Sequence, residues 1–254
     1  DTDDDGLGDR WELMHGFNPF QDNGSQSDDS DGDGLTNLEE YRTGTNPHSS
    51  DTDSDGLGDQ YELCYLGDYA TNAISNAWVD ISATGTAVTN WAAGDADDGY
   101  ALLPLGMEFP IAGTPYTNLY VCNNGFVSFG QSSSAFSNAA VPGASSATNM
   151  AAVFWDDLDG SASTNAALYY QQTSNSFVVT WSQYPLKGDQ SASLTFQAQL
   201  YTNGSIVCRY NSMADGTNSY ADGGSATIGL QYDAEYGIAW SHNDAGAVSN
   251  GLAI

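Results

Sequence analysis

Basic side chains are nearly absent from this sequence. Its 254 residues include only four lysines and arginines against 33 aspartates and glutamates, which gives a formal net charge of −29. A chain with this charge repels nucleic acid and anionic membrane surfaces, so we exclude both as partners. Cations are the partners that this composition favours.

Cysteine and long apolar runs are also scarce. The three cysteines, Cys64, Cys122 and Cys208, exclude a disulfide-rich scaffold and allow at most one bridge within the chain. Strand-like sequence around Cys122 and Cys208 makes that pair the favoured bridge, and buried thiols are the alternative. No apolar run reaches the length of a membrane span, so we expect no membrane insertion. The first residue is Asp rather than Met, and Asn, Ser, Thr and Gly are abundant. We therefore expect a trimmed secreted or cell-surface protein that has lost a leader.

Candidate catalytic bases are few. No G-x-S-x-G, H-E-x-x-H or phosphate-binding glycine loop occurs in the sequence. A carboxylate pair for glycoside hydrolysis, Asp156 with Glu108 or Glu235, stays open as an alternative. We nevertheless predict that the chain is not an enzyme, because none of its nitrogen bases lies in a recognisable motif. Those bases are His15, His48, His242 and Lys187.

Acidic residues are abundant, and they are concentrated at the start of the chain. Residues 1–69 contain 19 of the 33 acidic residues and only two basic residues, Arg10 and Arg42. The string "DTDDDGLGDRWE" at residues 1–12 returns as "DTDSDGLGDQYE" at 51–62, with a looser copy, "DSDGDGLTNLEE", at 29–40. In chain order, we call these three segments loop 1, loop 2 and loop 3.

The three loops share the spacing of a twelve-residue calcium loop. Oxygen-bearing side chains stand at positions 1, 3, 5, 9 and 12, and glycine stands at position 6. Calcium prefers six to eight oxygens, which alternate positions on a tightly curled backbone can direct at one centre. Position 9 acts directly or through a water, and position 7 offers its backbone carbonyl. The predicted ligands are Asp1, Asp3, Asp5, Leu7, Asp9 and Glu12 in loop 1; Asp29, Asp31, Asp33, Leu35, Asn37 and Glu40 in loop 2; and Asp51, Asp53, Asp55, Leu57, Asp59 and Glu62 in loop 3.

A short helix is predicted after each loop. Gly16, Gly44 and Gly67 supply the left-handed helix ends, and Thr36 and Glu39 have the spacing of a capping box. Such short helices are unstable alone, so we expect the segment to be disordered without metal and to stiffen with it.

The pattern D-x-D-x-D-G-L-x-D-x-x-E, with "GFNP" and "GTNP" between copies, resembles the bacterial thrombospondin type 3 repeats. The resemblance covers about the first 68 residues, and it implies a calcium-binding stalk of a secreted or surface protein. We therefore predict a first domain at residues 1–68 and a second at residues 69–254.

The second region has the period of β-strands. In "SLTFQAQL", Leu194, Phe196, Ala198 and Leu200 alternate with polar residues, and hairpin turns are predicted at Asn203–Gly204 and at Asn124–Gly125. Many short strands with frequent turn signals predict a mainly β fold, an antiparallel β-sandwich with jelly-roll-like connections.

Several strings make this prediction more specific. "MEFPIAGTPYTNLYVCNNGFVSFG", "AAVFWDDLDG", "ALYYQQTSNSFVVTWSQYP" and "SLTFQAQLYTNGSIVCRYN" resemble, in this order, a bacterial extracellular β-sandwich related to nidogen-like modules. Within "FWDDLDG", a fourth calcium site at Asp156, Asp157 and Asp159 competes with an ordinary turn. "GDADDG", at residues 94–99, is interpreted as a solvated turn.

These patterns together predict a non-catalytic, calcium-stabilised extracellular structural or adhesive protein, a subunit of a bacterial surface assembly or filament. Its partners would be calcium ions and either further copies of the chain or another extracellular protein. The alternative is a carbohydrate- or protein-binding accessory module of a secreted hydrolase, which would bind glycans on exposed tyrosines. The candidates are Tyr169, Tyr170, Tyr220 and Tyr236.

Overall fold

The computed structural model of the chain forms two compact units, Asp1–Tyr69 and Ala70–Ile254. It describes residues 1–24, 28–52, 58–61, 73–75, 77–111, 114–143, 147–217, 220–232, 234 and 237–254. Among these residues, no helix is both long and apolar enough to cross a membrane.

Three short helices follow the three acidic loops in the first unit: α1 Asp9–His15, α2 Asn37–Thr43 and α3 Asp59–Tyr61. Gly16 and Gly44 end α1 and α2 with φ of 80° and 86°, the left-handed conformation that favours glycine. The predicted capping box is confirmed. The backbone N–H of Glu39 donates to Thr36 Oγ1, and the backbone N–H of Thr36 donates to the Glu39 carboxylate. Gly67, the predicted third helix end, lies outside the described residues.

The second unit is an antiparallel β-sandwich, which confirms the predicted mainly β fold. One sheet has the strand order β1-β6-β7-β8-β9 and the other β11-β10-β5-β4-β3-β2, so most neighbours in a sheet are also neighbours in sequence. The strands are β1 Thr86–Ala87, β2 Tyr100–Ile111, β3 Thr114–Cys122, β4 Phe126–Ser128, β5 Met150–Trp155, β6 Ala167–Gln172, β7 Ser176–Leu186, β8 Asp189–Tyr201, β9 Ile206–Ala214, β10 Thr227–Gln231 and β11 Gly237–His242.

The core lies between the two sheets. The apolar face of β8 is fully buried, as its alternation predicts, with Phe196 stacked on Trp181 at a ring distance of 5.0 Å. Phe196 also meets Phe154 of the opposite sheet at 5.6 Å. Tyr210 of β9 crosses the interior, and its hydroxyl donates to the carbonyl of Val153 at 2.7 Å. Aromatic packing and a satisfied buried hydroxyl therefore join the sheets.

The polar face of β8 is buried too, which its sequence did not predict. Gln197 and Gln199 are fully buried, although strict alternation places them on a polar face. The Gln197 amide accepts from the Val79 N–H at 3.3 Å and donates to the Val79 carbonyl at 3.1 Å, as a neighbouring strand would. Arg209 of β9, also buried, donates to the carbonyl of Ser75 at 3.1 Å. The segment before β1 therefore covers this sheet, and side chains of β8 and β9 form hydrogen bonds with the backbone of that segment.

The hypothesis of a Cys122–Cys208 bridge is wrong, because both thiols are free. Cys122 ends β3 in one sheet, and Cys208 lies in β9 of the other. The Cys122 side chain packs with Val141 and Ala147 of the segment between β4 and β5, and burial raises the pKa of its thiol well above the ordinary value. The alternative of buried thiols holds for Cys122, while Cys64 lies outside the described residues.

Candidate metal centre

Loop 1 brings three carboxylates to one point. Asp1, Asp3 and Asp5 each place an oxygen within 4.8 Å of the others. Hydrogen bonds from backbone N–H groups to the carboxylates hold the loop in this curl. The Gly6 N–H donates to Asp1 Oδ2 at 3.0 Å, and the Leu7 N–H donates to Asp5 Oδ1 at 2.8 Å. The Leu7 side chain is fully buried.

Glu12 approaches the same carboxylates from α1. Its side chain is fully buried, and both of its oxygens lack a hydrogen-bond partner among the described residues. Both oxygens of Asp3 are buried and unpartnered in the same way. Burial raises the pKa of Glu12, and the charges of Asp3 and Asp5 raise it further. Such a concentration of buried negative charge needs a positive charge to balance it.

Loop 2 repeats this arrangement. Asp29, Asp31 and Asp33 also place oxygens within 4.8 Å of one another. Gly34 N–H donates to Asp29 Oδ2 at 3.0 Å, which matches the Gly6–Asp1 bond of loop 1. Leu35 N–H donates to Asp33 Oδ1 at 2.7 Å, which matches the Leu7–Asp5 bond. The two loops therefore have the same curl, as their aligned sequences predict.

Glu40 closes loop 2 from α2. It is fully buried, and its Oε2 has no hydrogen-bond partner among the described residues. Burial raises its pKa to about 7, and the neighbouring charges of Asp31, Asp33, Asp59 and Asp29 add to the effect. One of these charges, Asp59, belongs to loop 3.

Position 9 behaves differently from the other predicted ligands. Both oxygens of Asp9 accept from Thr2, one from its N–H and one from its hydroxyl, each at 2.7 Å. Asp59 accepts the same pair of bonds from Thr52 at 2.7 and 2.6 Å. Loop 2 has no threonine at the second position, and Asn37 instead donates through Nδ2 to the carbonyl of Asn23 at 3.0 Å.

Loop 3 is described only in part. Asp51 and Asp59 are among the described residues, and Asp59 is fully buried. The Asp59 N–H donates to the carbonyl of Ser50 at 2.9 Å, as the Asn37 N–H does to Asp28 at 2.7 Å, so α3 begins as α2 does. The predicted ligands Asp53, Asp55, Leu57 and Glu62 lie outside the described residues.

The donor set of loops 1 and 2 suits a hard divalent cation. Every side chain that converges is a carboxylate, and carboxylate oxygens are preferred ligands of calcium and magnesium. The buried oxygens of Asp3 and Glu12 have no hydrogen-bond partner among the described residues, and the N-terminal ammonium is paired with Asp9 at 3.1 Å. The residues therefore fit a bound calcium ion.

The three aspartates of "FWDDLDG" have separate partners. Asp156 accepts from the Ser225 hydroxyl at 2.5 Å, and burial raises its pKa to about 6. Asp159 is paired with Lys187 at 2.9 Å. Asp157 instead lies with Asp97 and Asp98 in a group whose oxygens are within 4.8 Å of one another. The three aspartates therefore do not form one site.

The Asp97, Asp98 and Asp157 group was not predicted from the sequence. It joins the turn before β2 to the end of β5, which are far apart in the chain. Lys187, the only lysine, contacts Asp97 at 2.5 Å and Asp159 at 2.9 Å, so a side-chain cation already lies beside the group. Only the pairing of strands brings these residues together.

The metal-free protein should show a strong dependence on pH at Glu40. The raised pKa means that the folded chain keeps a proton that the unfolded chain releases near the ordinary value of 4.5. The resulting stabilisation is complete below pH 4.5 and is lost as the pH rises through about 7. Where chelator-treated protein keeps the first unit folded, carbon-13 NMR of the carboxyl groups should place the Glu40 midpoint at about 7, whereas an unfolded first unit should titrate near 4.5.

Glu39 is the matched control for this titration. It is the neighbouring residue of α2, but bonds from the Thr36 N–H and hydroxyl lower its pKa below the ordinary value. The two glutamates should therefore titrate on opposite sides of 4.5. A Glu40 midpoint at or below that of Glu39 would contradict the burial of an uncompensated charge.

Comparison with known families agrees with both parts of the chain. The sequence model of the bacterial TSP3 repeat matches residues 1–21 and 29–50, which contain loops 1 and 2. TSP3 repeats are of the calcium-binding type. The model described as NIDO related matches residues 68–251. No solved structure matches the chain. Both resemblances noted in the sequence are confirmed, in the stated order, and the chain belongs to the NIDO-related family, with bacterial TSP3 repeats preceding its β-sandwich.

Proposed function

We propose that this chain is a secreted, non-catalytic structural protein in which calcium ions order the first unit. The buried and unpartnered carboxylate oxygens of Asp3 and Glu12 carry this proposal. Both matched families consist of non-catalytic structural domains typical of extracellular proteins, and extracellular calcium is plentiful enough for such sites.

Calcium, when bound, would supply the positive charge that these carboxylates need. Asp1, Asp3, Asp5 and Glu12 would hold it in loop 1, and Asp29, Asp31, Asp33 and Glu40 would hold it in loop 2. Loop 3 follows by sequence equivalence. At free calcium one hundred times the dissociation constant, each site would stabilise the folded state by about 2.7 kcal/mol.

The Glu12→Gln variant should lose one calcium-binding site. Glutamine keeps the size of the side chain but removes the negative charge and one carboxylate oxygen, so loop 1 cannot be closed by both oxygens. Equilibrium dialysis with radioactive calcium should show one equivalent fewer than in the unmodified chain. Glu108→Gln, at an exposed glutamate of β2, is the control and should change nothing. Full calcium binding by Glu12→Gln would contradict the site, and no binding by the unmodified chain would contradict the proposed function.

We further propose that copies of the chain associate with one another. Each edge strand of the six-stranded sheet, β11 and β2, is paired on only one side among the described strands. An unpaired edge can accept a strand from another chain. In the first unit, Leu13, Met14 and Phe20 are large apolar side chains that are mostly exposed. These features support a subunit of a surface assembly.

Calcium should drive this assembly. Sedimentation velocity of the full chain across a calcium titration, against a chelator control, should show compaction followed by growth into large species. Compaction reports ordering of the first unit, and growth reports contact between chains. Compaction without growth at high protein concentration would contradict assembly and leave calcium binding intact.

Glycan binding is the second candidate function, favoured by a groove on the outer side of β2 and β3. The groove has a cavity of about 290 Å³. The Tyr116 ring is held by a bond from Asn149 to its hydroxyl at 3.1 Å, and Tyr120 packs edge-on against Tyr100. Among the described residues, no charged side chain lines it, which suits a neutral sugar that stacks on an aromatic ring. The lining residues are Leu102, Pro115, Tyr116, Thr117, Asn118, Tyr120 and Gly130.

A glycan array should show binding that depends on this groove. Tyr120→Ala should weaken a positive signal about tenfold, because one stacking ring is lost. The control is Tyr220→Ala, at a half-exposed tyrosine that does not line the groove. Equal loss in both variants would contradict the groove, and silence of the unmodified chain would contradict glycan binding. Of the other tyrosines first considered, Tyr169 and Tyr170 are half-buried in β6, and Tyr236 lies outside the described residues.

A further inference from the structure

Two asparagine oxygens near loop 1 have no role in the arrangement described so far. Asn37 is almost fully buried, and its Oδ1 has no hydrogen-bond partner among the described residues. The Oδ1 of Asn23 is likewise buried and unpartnered. A buried amide oxygen without a donor is destabilising unless something else binds it, and amide oxygens are calcium ligands.

Hydrogen bonds connect the Asn37 side chain, through Asn23, to loop 1. Asn37 Nδ2 donates to the carbonyl of Asn23 at 3.0 Å, and the Asn23 N–H donates to Asp5 Oδ2 at 2.7 Å. The residue after Asn37, Leu38, lies against the turn of loop 1, where a Cβ on Gly6 would meet its Cδ1 at 3.2 Å. The start of α2 therefore packs on the loop before its own.

The next pair of repeats makes the same contact. A Cβ on Gly34, the turn glycine of loop 2, would collide with the side chain of Gln60, which is the equivalent of Leu38. The Gln60 N–H donates to Asp33 Oδ2 at 3.3 Å. Asp59, the equivalent of Asn37, precedes Gln60 and is fully buried. At both described junctions, the start of the helix that carries position 9 thus packs on the turn of the preceding loop.

We propose that each calcium centre is shared between consecutive repeats, with position 9 of the following repeat as a ligand of the preceding loop. Asn37 Oδ1 would complete loop 1, and the carboxylate of Asp59 would complete loop 2. Position 9 then serves the preceding ion instead of the ion of its own loop. This inference rests on the proposed calcium binding and adds an inter-repeat ligand to it.

The bonds already made by Asp59 are compatible with this role. Each of its oxygens accepts one hydrogen bond from Thr52, and a carboxylate oxygen has a second lone pair available. The two centres differ in charge, because loop 1 receives a neutral amide and loop 2 a carboxylate. Ligand charge tunes calcium affinity, so loop 2 should bind calcium more tightly than loop 1. Docking of one repeat on the next and calcium binding are then linked reciprocally.

The test is a calcium titration of the full chain followed by nitrogen-15 NMR at the Gly6 and Gly34 amides. These amides make equivalent bonds at 3.0 Å to Asp1 and Asp29, so each reports on its own loop. Asn37→Ala should raise the half-saturating calcium concentration at Gly6 by at least about tenfold. It should leave the value at Gly34 within about twofold, a change of no more than about 0.4 kcal/mol.

Asn37→Asp separates a ligand from a merely structural asparagine. It removes the Nδ2 donor to Asn23, as Asn37→Ala does, but it adds a carboxylate. A ligand role requires calcium to bind about tenfold more tightly at Gly6, whereas a structural role requires weaker binding in both variants. Asn46→Ala is the matched control, because this half-buried asparagine lies between loops 2 and 3 and its Oδ1 already accepts from the His48 N–H.

Three results would overturn the inference while leaving the proposed function intact. The first is a shift at Gly34 without one at Gly6, which would assign Asn37 to its own loop. The second is weaker binding at Gly6 in Asn37→Asp, and the third is an equal shift at both glycines. Absence of any calcium response at Gly6 and Gly34 in the unmodified chain would overturn the proposed function together with the inference.

Discussion

Repulsion among converging carboxylates is the constraint on which the first unit depends. Two loops each direct three aspartates to one point, and a fully buried glutamate, Glu12 or Glu40, is added to each. Burial and these neighbours raise the pKa of both glutamates, because both disfavour the ionised form. Helices of seven residues cannot offset such repulsion, because they are too short to be stable alone. This is why we propose that the order of the unit is tied to the cation that its carboxylates would bind.

The local features of the first unit all serve that convergence. Turn glycines let the loop curl. The N–H of each turn glycine donates to the carboxylate at position 1, and the N–H of the following leucine donates to the carboxylate at position 5. The capping box at Thr36 and the left-handed end at Gly44 fix both ends of α2, and this orients Glu40 toward loop 2. Packing of Leu38 and Gln60 against the turn of the preceding loop then makes neighbouring repeats dependent on each other.

The β-sandwich is held by a different interaction, the burial of apolar surface between two sheets. Phe154, Trp181 and Phe196 meet in the interior, and the buried Tyr210 hydroxyl donates to the Val153 carbonyl. Two of its aspartates have side-chain partners within the protein, unlike the unpartnered carboxylate oxygens of the loops. The Asp156 carboxylate accepts a hydrogen bond from the Ser225 hydroxyl. The Asp159 carboxylate accepts one from the Ser161 hydroxyl and forms an ion pair with Lys187.

The sequence by itself determined the features that depend on residues close together in the chain. The loop spacing, the helix ends at Gly16 and Gly44, the capping box and the buried face of β8 all follow from local chemistry and periodicity. Tertiary structure alone decided the burial of Gln197, the separation of Cys122 from Cys208, and the meeting of Asp97 with Asp157. It also decided that Asn37 bonds toward loop 1, since the loop spacing assigns position 9 to its own loop. The physical reason is that periodicity reports which face a residue occupies, whereas its partner on that face is chosen by how distant segments pack.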